Sequence, residues 1–315
     1  MTPASRLPGI VALLMATASW GSMFMVGKDV LPQVDAFWLT VVRYTVAALM
    51  FTVLLVPRGA GPWKRLRGAA LPLAVRGVMG FGVFGILLLV GLSLSEPSHS
   101  AVIVATIPIT SQLVRWALDG VRPGWITAGS AVLALVGVVI VSGVATHGAA
   151  SDAHTGLGDG IALAGSLGWV WYTRGPARFP QLDVLEYSAL SMVAAWPLLV
   201  VAALVATAMG IATPPSVAQL QHHWHALLYI SVMASGFAVL AFNYGVAALG
   251  AVTGTAFMNF VPVSALLMAA ALGKPPLSHE LAGTAMVVAA LLIHTASRRA
   301  PPAVPAIAIH PGAAP

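Results

Sequence analysis

Arg43 is the one basic residue placed well inside a long apolar run of this chain. It lies about seven residues in, roughly 10 Å deep at about 1.5 Å per residue. An ionisable group in such a run is costly and usually functional, so Arg43 is a candidate contact for an anion such as a substrate carboxylate. The alternative is a structural arginine that pairs with helix carbonyls or an interfacial acid, or that extends outward to water.

Aromatic side chains form a second group of candidates. Trp20 lies near the middle of one apolar run, and Trp169 and Tyr172 lie together in another. Aromatic walls suit apolar or planar ligands. Trp and Tyr are also common in packed cores and at membrane interfaces, so lining a cavity and simple packing both remain open for these residues.

Two amides, a hydroxyl and two prolines complete the candidates. Asn243 and Asn259 lie within apolar runs, where an unpaired amide is expensive, so each must face a ligand or a neighbouring helix. Thr106 is a weaker candidate of the same kind. Pro108 and Pro262 each remove a helical hydrogen bond and are expected to kink their helices, freeing carbonyls that a substrate can contact.

The patterns of metal and catalytic sites are missing. All nine Asp and Glu residues lie in loops or near the ends of apolar runs, and the chain has no Cys. The segment 222–225 holds three His residues, but without helical ligand spacing or an adjacent carboxylate. Seven of the nine histidines, His99 among them, are therefore expected to be solvated at the outer surface. We predict no catalytic residue, no metal and no cofactor.

A glycine-rich segment over residues 80–85 fits the pattern G-x-G-x-x-G. It lies inside an apolar run, without a preceding strand or a suitably spaced acidic residue, so binding of a dinucleotide is not expected. Close packing of helices explains the glycines better.

Composition indicates that lipid surrounds most of the chain. Only 8% of its 315 residues are charged, 59% are hydrophobic and the mean hydropathy is +0.92, whereas soluble domains are about 25% charged. A spanning helix needs about 20 apolar residues. Ten runs qualify, at 9–27, 35–56, 71–94, 98–117, 124–145, 157–176, 184–206, 224–247, 251–272 and 279–297. The first resembles a secretory signal, but it is too long for a typical signal core.

The basic residues predict the orientation of these spans. With a cytoplasmic N-terminus, twelve Lys and Arg residues fall on or near the cytoplasmic side and two fall outside, as the positive-inside rule requires. Both termini are then cytoplasmic, and the Pro/Ala-rich tail 298–315 is expected to be disordered. The net charge of +6 forms no basic patch with interleaved aromatics, so nucleic acid is not an expected partner.

The two halves of the chain repeat each other. Gly82, Gly91, Pro108 and Gly129 match Gly236, Gly245, Pro262 and Gly283 at a constant offset of 154 residues. The repeats cover 9–145 and 157–297, with five spans each. An odd number of spans inverts the second copy, and inverted repeats are typical of transporters with a substrate site near mid-membrane.

The same pattern resembles the drug/metabolite transporter superfamily, in particular its EamA-type families of ten-helix permeases. The resemblance covers roughly residues 9–297. It is carried by residues 18–22 with Lys28, by Arg43, by segments 105–108 and 259–262, and by Gly129 and Gly283. It implies a multi-pass permease of the cell inner membrane that exports a small metabolite, amino acid or drug-like compound by alternating access.

One departure accompanies this resemblance. Members of these families often carry a Glu nine residues before the glycines placed here at 129 and 283, whereas this chain has Gly120 and Lys274. A gating or coupling role for that Glu therefore does not carry over.

The expected partners are a small-molecule substrate and the lipid bilayer. A monomer is consistent with the sequence, which leaves the oligomeric state open. Two alternative functions also stay open: a non-transporting helper or scaffold subunit, and an intramembrane enzyme.

Overall fold

The computed structural model describes residues 3–141, 153–249, 254 and 257–296, and within these ranges the regular structure is all helical. The predicted tail 298–315 lies outside the described residues. In chain order, the α-helices of the first half are α1 (Pro3–Val30), α2 (Ala36–Leu55), α3 (Gly61–Gly77), α4 (Phe84–Leu94), α5 (Pro97–Ala105), α6 (Ile107–Asp119) and α7 (Trp125–Val141). Those of the second half are α8 (Ala153–Thr173), α9 (Val184–Ala208), α10 (Val217–His222), α11 (Trp224–Leu228), α12 (Ala238–Leu249), α13 (Phe260–Ala271) and α14 (Ser278–Ala296).

Most of the described residues in the ten predicted spans are helical. Among the described residues, five helices are long and apolar enough to cross a membrane, namely Leu7–Val30, Ala36–Arg58, Gly61–Leu94, Val184–Ala208 and Trp224–Leu249. A sixth is obtained if α5 and α6, which meet at a bend of 47°, form one span. Large apolar side chains such as Leu49, Val53 and Leu71 face outward, as expected where lipid is the solvent. The protein is therefore a membrane-embedded, multi-pass helical protein.

Local sequence explains where several helices begin and end. The Asp35 carboxylate accepts the backbone N–H groups of Phe37 and Trp38 and so begins α2, and Asp183 caps α9 through the Glu186 amide. α6 ends at Gly120, which adopts a left-handed φ of 68°. A side chain at that position is strained, which gives a local reason for Gly at the end of α6.

Two π-helical segments occupy equivalent positions in the two halves. Val78–Val83 joins α3 to α4, and Tyr229–Phe237 joins α11 to α12. Their last residues are separated by the same 154-residue offset. A π-helix leaves the backbone locally distorted, and such segments are frequent at functional sites.

Helices of one half pack mainly against helices of the other. α1 lies against α12 and α13, α8 lies against α4, and α7 lies against α14. Glycines allow these close approaches: a Cβ at Gly91 would lie 2.5 Å from the carbonyl oxygen of Gly158, and one at Gly245 would lie 2.9 Å from that of Gly9. The largest hydrophobic core lies where α1, α2, α4, α8, α9 and α12 meet.

Ion pairs join the halves at one end of the molecule. Arg58 and Arg65 contact the carboxylate of Glu186, and Arg58 also contacts Asp183. Burial raises the pKa of Asp183, but hydrogen bonds from the Glu186 amide and from Arg58 outweigh it and lower the pKa overall. We call these four residues the charged end.

Candidate functional site

A cavity lies between the two halves, where the large core is interrupted. Its volume is about 430 Å³ when the space that opens to solvent is included. Of the helices that meet in the core, α1, α2, α4, α8 and α12 contribute to its wall and α9 does not. The lining residues are Trp20, Met23, Phe24, Arg43, Tyr44, Phe84, Leu88, Val104, Trp169, Ala234, Val239 and Met258.

Trp20 forms one wall of the cavity. Its indole N–H donates to the carbonyl oxygen of Ala234 at 2.9 Å, in the second π-helical segment. Its ring meets Trp169 edge-on, with centroids 5.7 Å apart and an interplanar angle of 82°. This geometry is favourable for aromatic pairs. The hydrogen bond fixes the orientation of the indole, so that the ring presents a rigid apolar surface to the cavity.

Trp169 forms the facing wall on α8. It packs against Phe84 at 5.3 Å and Tyr172 at 5.1 Å between ring centroids. Its indole nitrogen is buried without a hydrogen-bond partner, although a buried indole N–H usually finds one. Trp169, which lines the cavity, therefore carries an unused hydrogen-bond donor. Tyr172 does not line the cavity; it is fully buried behind Trp169.

Arg43 supplies the positive charge of the cavity. It is 2% exposed, its Nη2 donates to the Tyr44 hydroxyl at 3.0 Å, and its Nη1 lies 3.6 Å from the Met23 sulfur. The guanidinium also stacks over the Tyr44 ring at 4.5 Å. Its Nε has no partner, and among the described residues no carboxylate forms an ion pair with it. The side chain therefore does not extend outward to water, and its charge is left uncompensated.

Glycines of the 80–85 segment make room for these side chains. A Cβ at Gly80 would lie 2.5 Å from the ring of Tyr172, and one at Gly85 would lie 2.6 Å from Arg43 Nη2. Close packing of helices was the expected role of this glycine-rich segment. Gly85 also leaves space for Arg43, which lines the cavity.

The remaining predicted residues lie elsewhere. Asn243 donates to the Ser188 hydroxyl at 2.8 Å. This bond joins α12 to α9, so the amide faces a neighbouring helix, which was one of the two alternatives for it. Thr106 donates to the Ile103 carbonyl at 2.7 Å and sits at the 47° bend, with Pro108 in the first turn of α6. Pro262 lies in the first turn of α13. The side chain of Asn259 lies outside the described part of the chain.

Several lining residues were not anticipated from the sequence. Met23 and Phe24 follow Trp20 by three and four residues, and Leu88 follows Phe84 by four. Side chains at these spacings share a helical face, so the signal was available once Trp20 was chosen. Met258 and Ala234 carried no comparable signal, because tertiary packing brings them to the cavity.

A second polar cluster lies at the end of the molecule away from the charged end. His99 Nδ1 lies 3.1 Å from Asp159 Oδ2, and the Ser95 hydroxyl donates to Asp159 Oδ1. His99 is 5% exposed and Asp159 is 7% exposed. The prediction of a solvated His99 is wrong, because helix packing encloses the ring together with a carboxylate.

Comparison with known proteins agrees with this architecture. The family model described as the EamA-like transporter family matches the chain twice, over residues 7–143 and 156–296. This chain belongs to the EamA-like transporter family.

Related EamA-like proteins are themselves named as transporters. The chain is 29% identical over 299 residues to the uncharacterized transporter YrdR of Bacillus subtilis (strain 168), covering 92% of each chain. It is 25% identical over 286 residues to the "Probable terminal-alkyne amino-acid exporter" of Streptantibioticus cattleyicolor, covering 90% of this chain and 91% of that one. A solved crystal structure matches with a TM-score of 0.66 at 20% identity, covering 95% of this chain and 99% of the other. This match shows that the two chains have a similar fold.

Proposed function

We propose that this protein exports a small apolar or aromatic compound that carries a carboxylate, such as an amino acid, through the cell inner membrane. The observation that carries the proposal is Arg43, a buried cation that faces a cavity and has no ion-pair partner among the described residues. Burying an unpaired charge is expensive, and a bound carboxylate compensates it. The donor of Trp169 and the ring of Trp20 suit the rest of such a ligand.

Alternating access of two inverted five-helix repeats is the proposed mechanism. Three features support ten spans in two repeats: the residue matches at a fixed offset, the equivalent π-helical segments, and the reciprocal packing of α1 on α12 and of α8 on α4. The cavity lies between the copies, as alternating access requires. In this proposal the N-terminus is cytoplasmic, and ten spans then put the C-terminus and the charged end on the same side.

A relative's name agrees with the proposed substrate class. One similar protein is named as an amino-acid exporter, and an amino acid with an apolar side chain presents both a carboxylate and an apolar body. These are the two features that Arg43 and the tryptophans of the cavity complement.

The helper and enzyme alternatives fit the geometry less well. A scaffold subunit is expected to have a filled interface, whereas a cavity lined by Trp20, Arg43 and Trp169 lies between these halves. An enzyme of the Ser-His-Asp kind needs Ser and Asp on different nitrogens of the imidazole. Here Ser95 and Asp159 both contact Nδ1 of His99.

Transport in proteoliposomes tests the proposal. We expect saturable counterflow of L-phenylalanine, or of another apolar amino acid in a panel, in wild-type protein. Arg43→Gln removes one member of a buried charge contact, which costs about 2–5 kcal/mol, about 30-fold or more in KM. Phenethylamine, the amine analogue without the carboxylate, should have the same KM in wild-type protein and in Arg43→Gln.

Arg76→Gln is the matched control. Arg76 is also buried, but it donates to the carbonyl oxygen of Trp171 at 2.6 Å and lies outside the cavity. Its loss should leave the preference for carboxylates unchanged. Equal loss of transport in both variants, or no saturable flux of any carboxylate from folded protein, contradicts the proposal.

A further inference from the structure

The buried His99–Asp159 pair joins the two halves, because His99 belongs to α5 and Asp159 to α8. The side chains of His99 and Asp159 are 6% and 9% exposed. Ionisable groups inside a membrane protein are expensive and usually serve a function. Imidazole is the side chain whose charge most readily changes near neutral pH. Neither residue lines the cavity, so direct contact with a substrate does not explain why this pair is buried.

The neighbouring helices leave Asp159 as the carboxylate facing His99. The Glu280 carboxylate accepts from the Ser98 hydroxyl, and Lys28 donates to the carbonyl oxygens of Leu92 and Ser95. α4, α7 and α13 carry no ionisable residue. Among the side chains that the structure describes, the other acidic, basic and imidazole groups on elements around α5 are exposed, partly exposed or at the far end of α6: Asp29, Glu96, His154, His279, Arg115 and Asp119.

The same two helices reach the substrate cavity. Val104 lies five residues along α5 from His99, about 7.5 Å at about 1.5 Å per residue, and Trp169 lies further along α8. Both residues line the cavity. α5 and α8 therefore connect His99 and Asp159 to two walls of the cavity.

We propose that His99 and Asp159 form a proton-binding site that couples proton movement to the opening of this end of the cavity. A proton bound to the imidazole makes an imidazolium–carboxylate pair, which holds α5 against α8. Its release to water leaves a buried carboxylate beside a neutral ring, and hydration of that carboxylate favours separation of the helices. The proposal rests on the proposed transport function, for which it supplies the coupling ion: a proton entering as the substrate leaves.

Cysteine accessibility measures the opening without knowledge of the substrate. The chain has no Cys, so Val104→Cys introduces a unique thiol in the cavity. In nanodiscs, its rate of reaction with a hydrophilic maleimide is divided by that of the exposed Lys64→Cys, which corrects for ionisation of the thiol. We expect this ratio to rise about tenfold as the pH is raised and the pair loses its proton.

Variants of the pair identify the titrating group. His99→Gln and Asp159→Asn, each in the Val104→Cys background, should abolish the pH response. Glu280→Gln, which removes another carboxylate at the same end, should retain it. A ratio of reaction rates that does not change with pH in Val104→Cys, where His99 and Asp159 are both present, overturns the proposal. This result does not depend on a substitution in the pair, which could cause misfolding. An unchanged response in His99→Gln, or its loss in Glu280→Gln, overturns it as well.

The flux assay separates this proposal from the transport function. A pH response of the cavity thiol without any flux keeps the proton site and refutes the exporter. Saturable flux that ignores a pH gradient, with a flat thiol ratio, keeps the exporter and refutes the proton site.

Discussion

Gly85 is the residue that allows the guanidinium of Arg43 to reach the cavity wall. A methyl group at this position would lie 2.6 Å from Arg43 Nη2, so Gly85→Ala should displace the guanidinium while the helix itself accommodates Ala well. Misplacing a charge-assisted hydrogen bond costs about 1.5 kcal/mol or more, about tenfold in KM for a carboxylate substrate. Uptake kinetics in proteoliposomes measure this change.

Gly82→Ala is the control for that substitution. Its methyl group would meet only the ends of two side chains outside the cavity lining, Leu199 at 2.6 Å and Val78 at 3.7 Å. The KM should therefore stay near the wild-type value in Gly82→Ala. Equal KM values in the two variants contradict the role given to Gly85.

Helix crossings in this protein depend on glycines that place one backbone on another. Gly137 on α7 and Gly283 on α14 face each other, and a Cβ at Gly283 would lie 2.5 Å from the Gly137 carbonyl oxygen and 2.7 Å from the Val141 nitrogen. Backbone atoms cannot rotate away as a side chain does. Gly283→Ala should therefore destabilise the protein by about 1–3 kcal/mol, as overpacking does.

Thermal unfolding in detergent, followed by tryptophan fluorescence, measures that loss of stability. Gly129→Ala on α7 is the matched control, since nothing lies within 4 Å of a Cβ there. Its Tm should be unchanged or higher, because Ala favours a helix over Gly. A Gly283→Ala protein with the Tm of wild type would show that the crossing is looser than described.

At the scale of the whole molecule, the distribution of basic residues predicts a cytoplasmic position for the charged end. Lys64, between Arg58 and Arg65, is exposed beside that end, and Gln221 is exposed in α10 of the second half. We expect Gln221→Cys to react with an impermeant maleimide in intact cells and Lys64→Cys to react only after permeabilisation. The native chain has no Cys to interfere. The opposite result would place both termini outside.

Much of this protein is determined by its sequence alone. With 8% charged residues and long apolar runs, a chain in lipid must satisfy its backbone within helices, so the helical class follows from composition. The glycines and prolines repeated at a fixed offset point to the family because close helix contacts require small residues at set positions. Trp20, Trp169 and Arg43 could be selected from the sequence because large aromatic or charged side chains are unusual inside apolar runs.

Tertiary structure decided which candidates meet. Only packing shows that Asn243 is satisfied by Ser188, that Thr106 bonds its own helix, and that Arg43 keeps an unpaired nitrogen beside the cavity. His99 and Asp159 are 60 residues apart in the chain, and each has an unremarkable position near a helix end. Burial and charge compensation depend on which helices cross, and that information lies in contacts between distant segments rather than in local spacing.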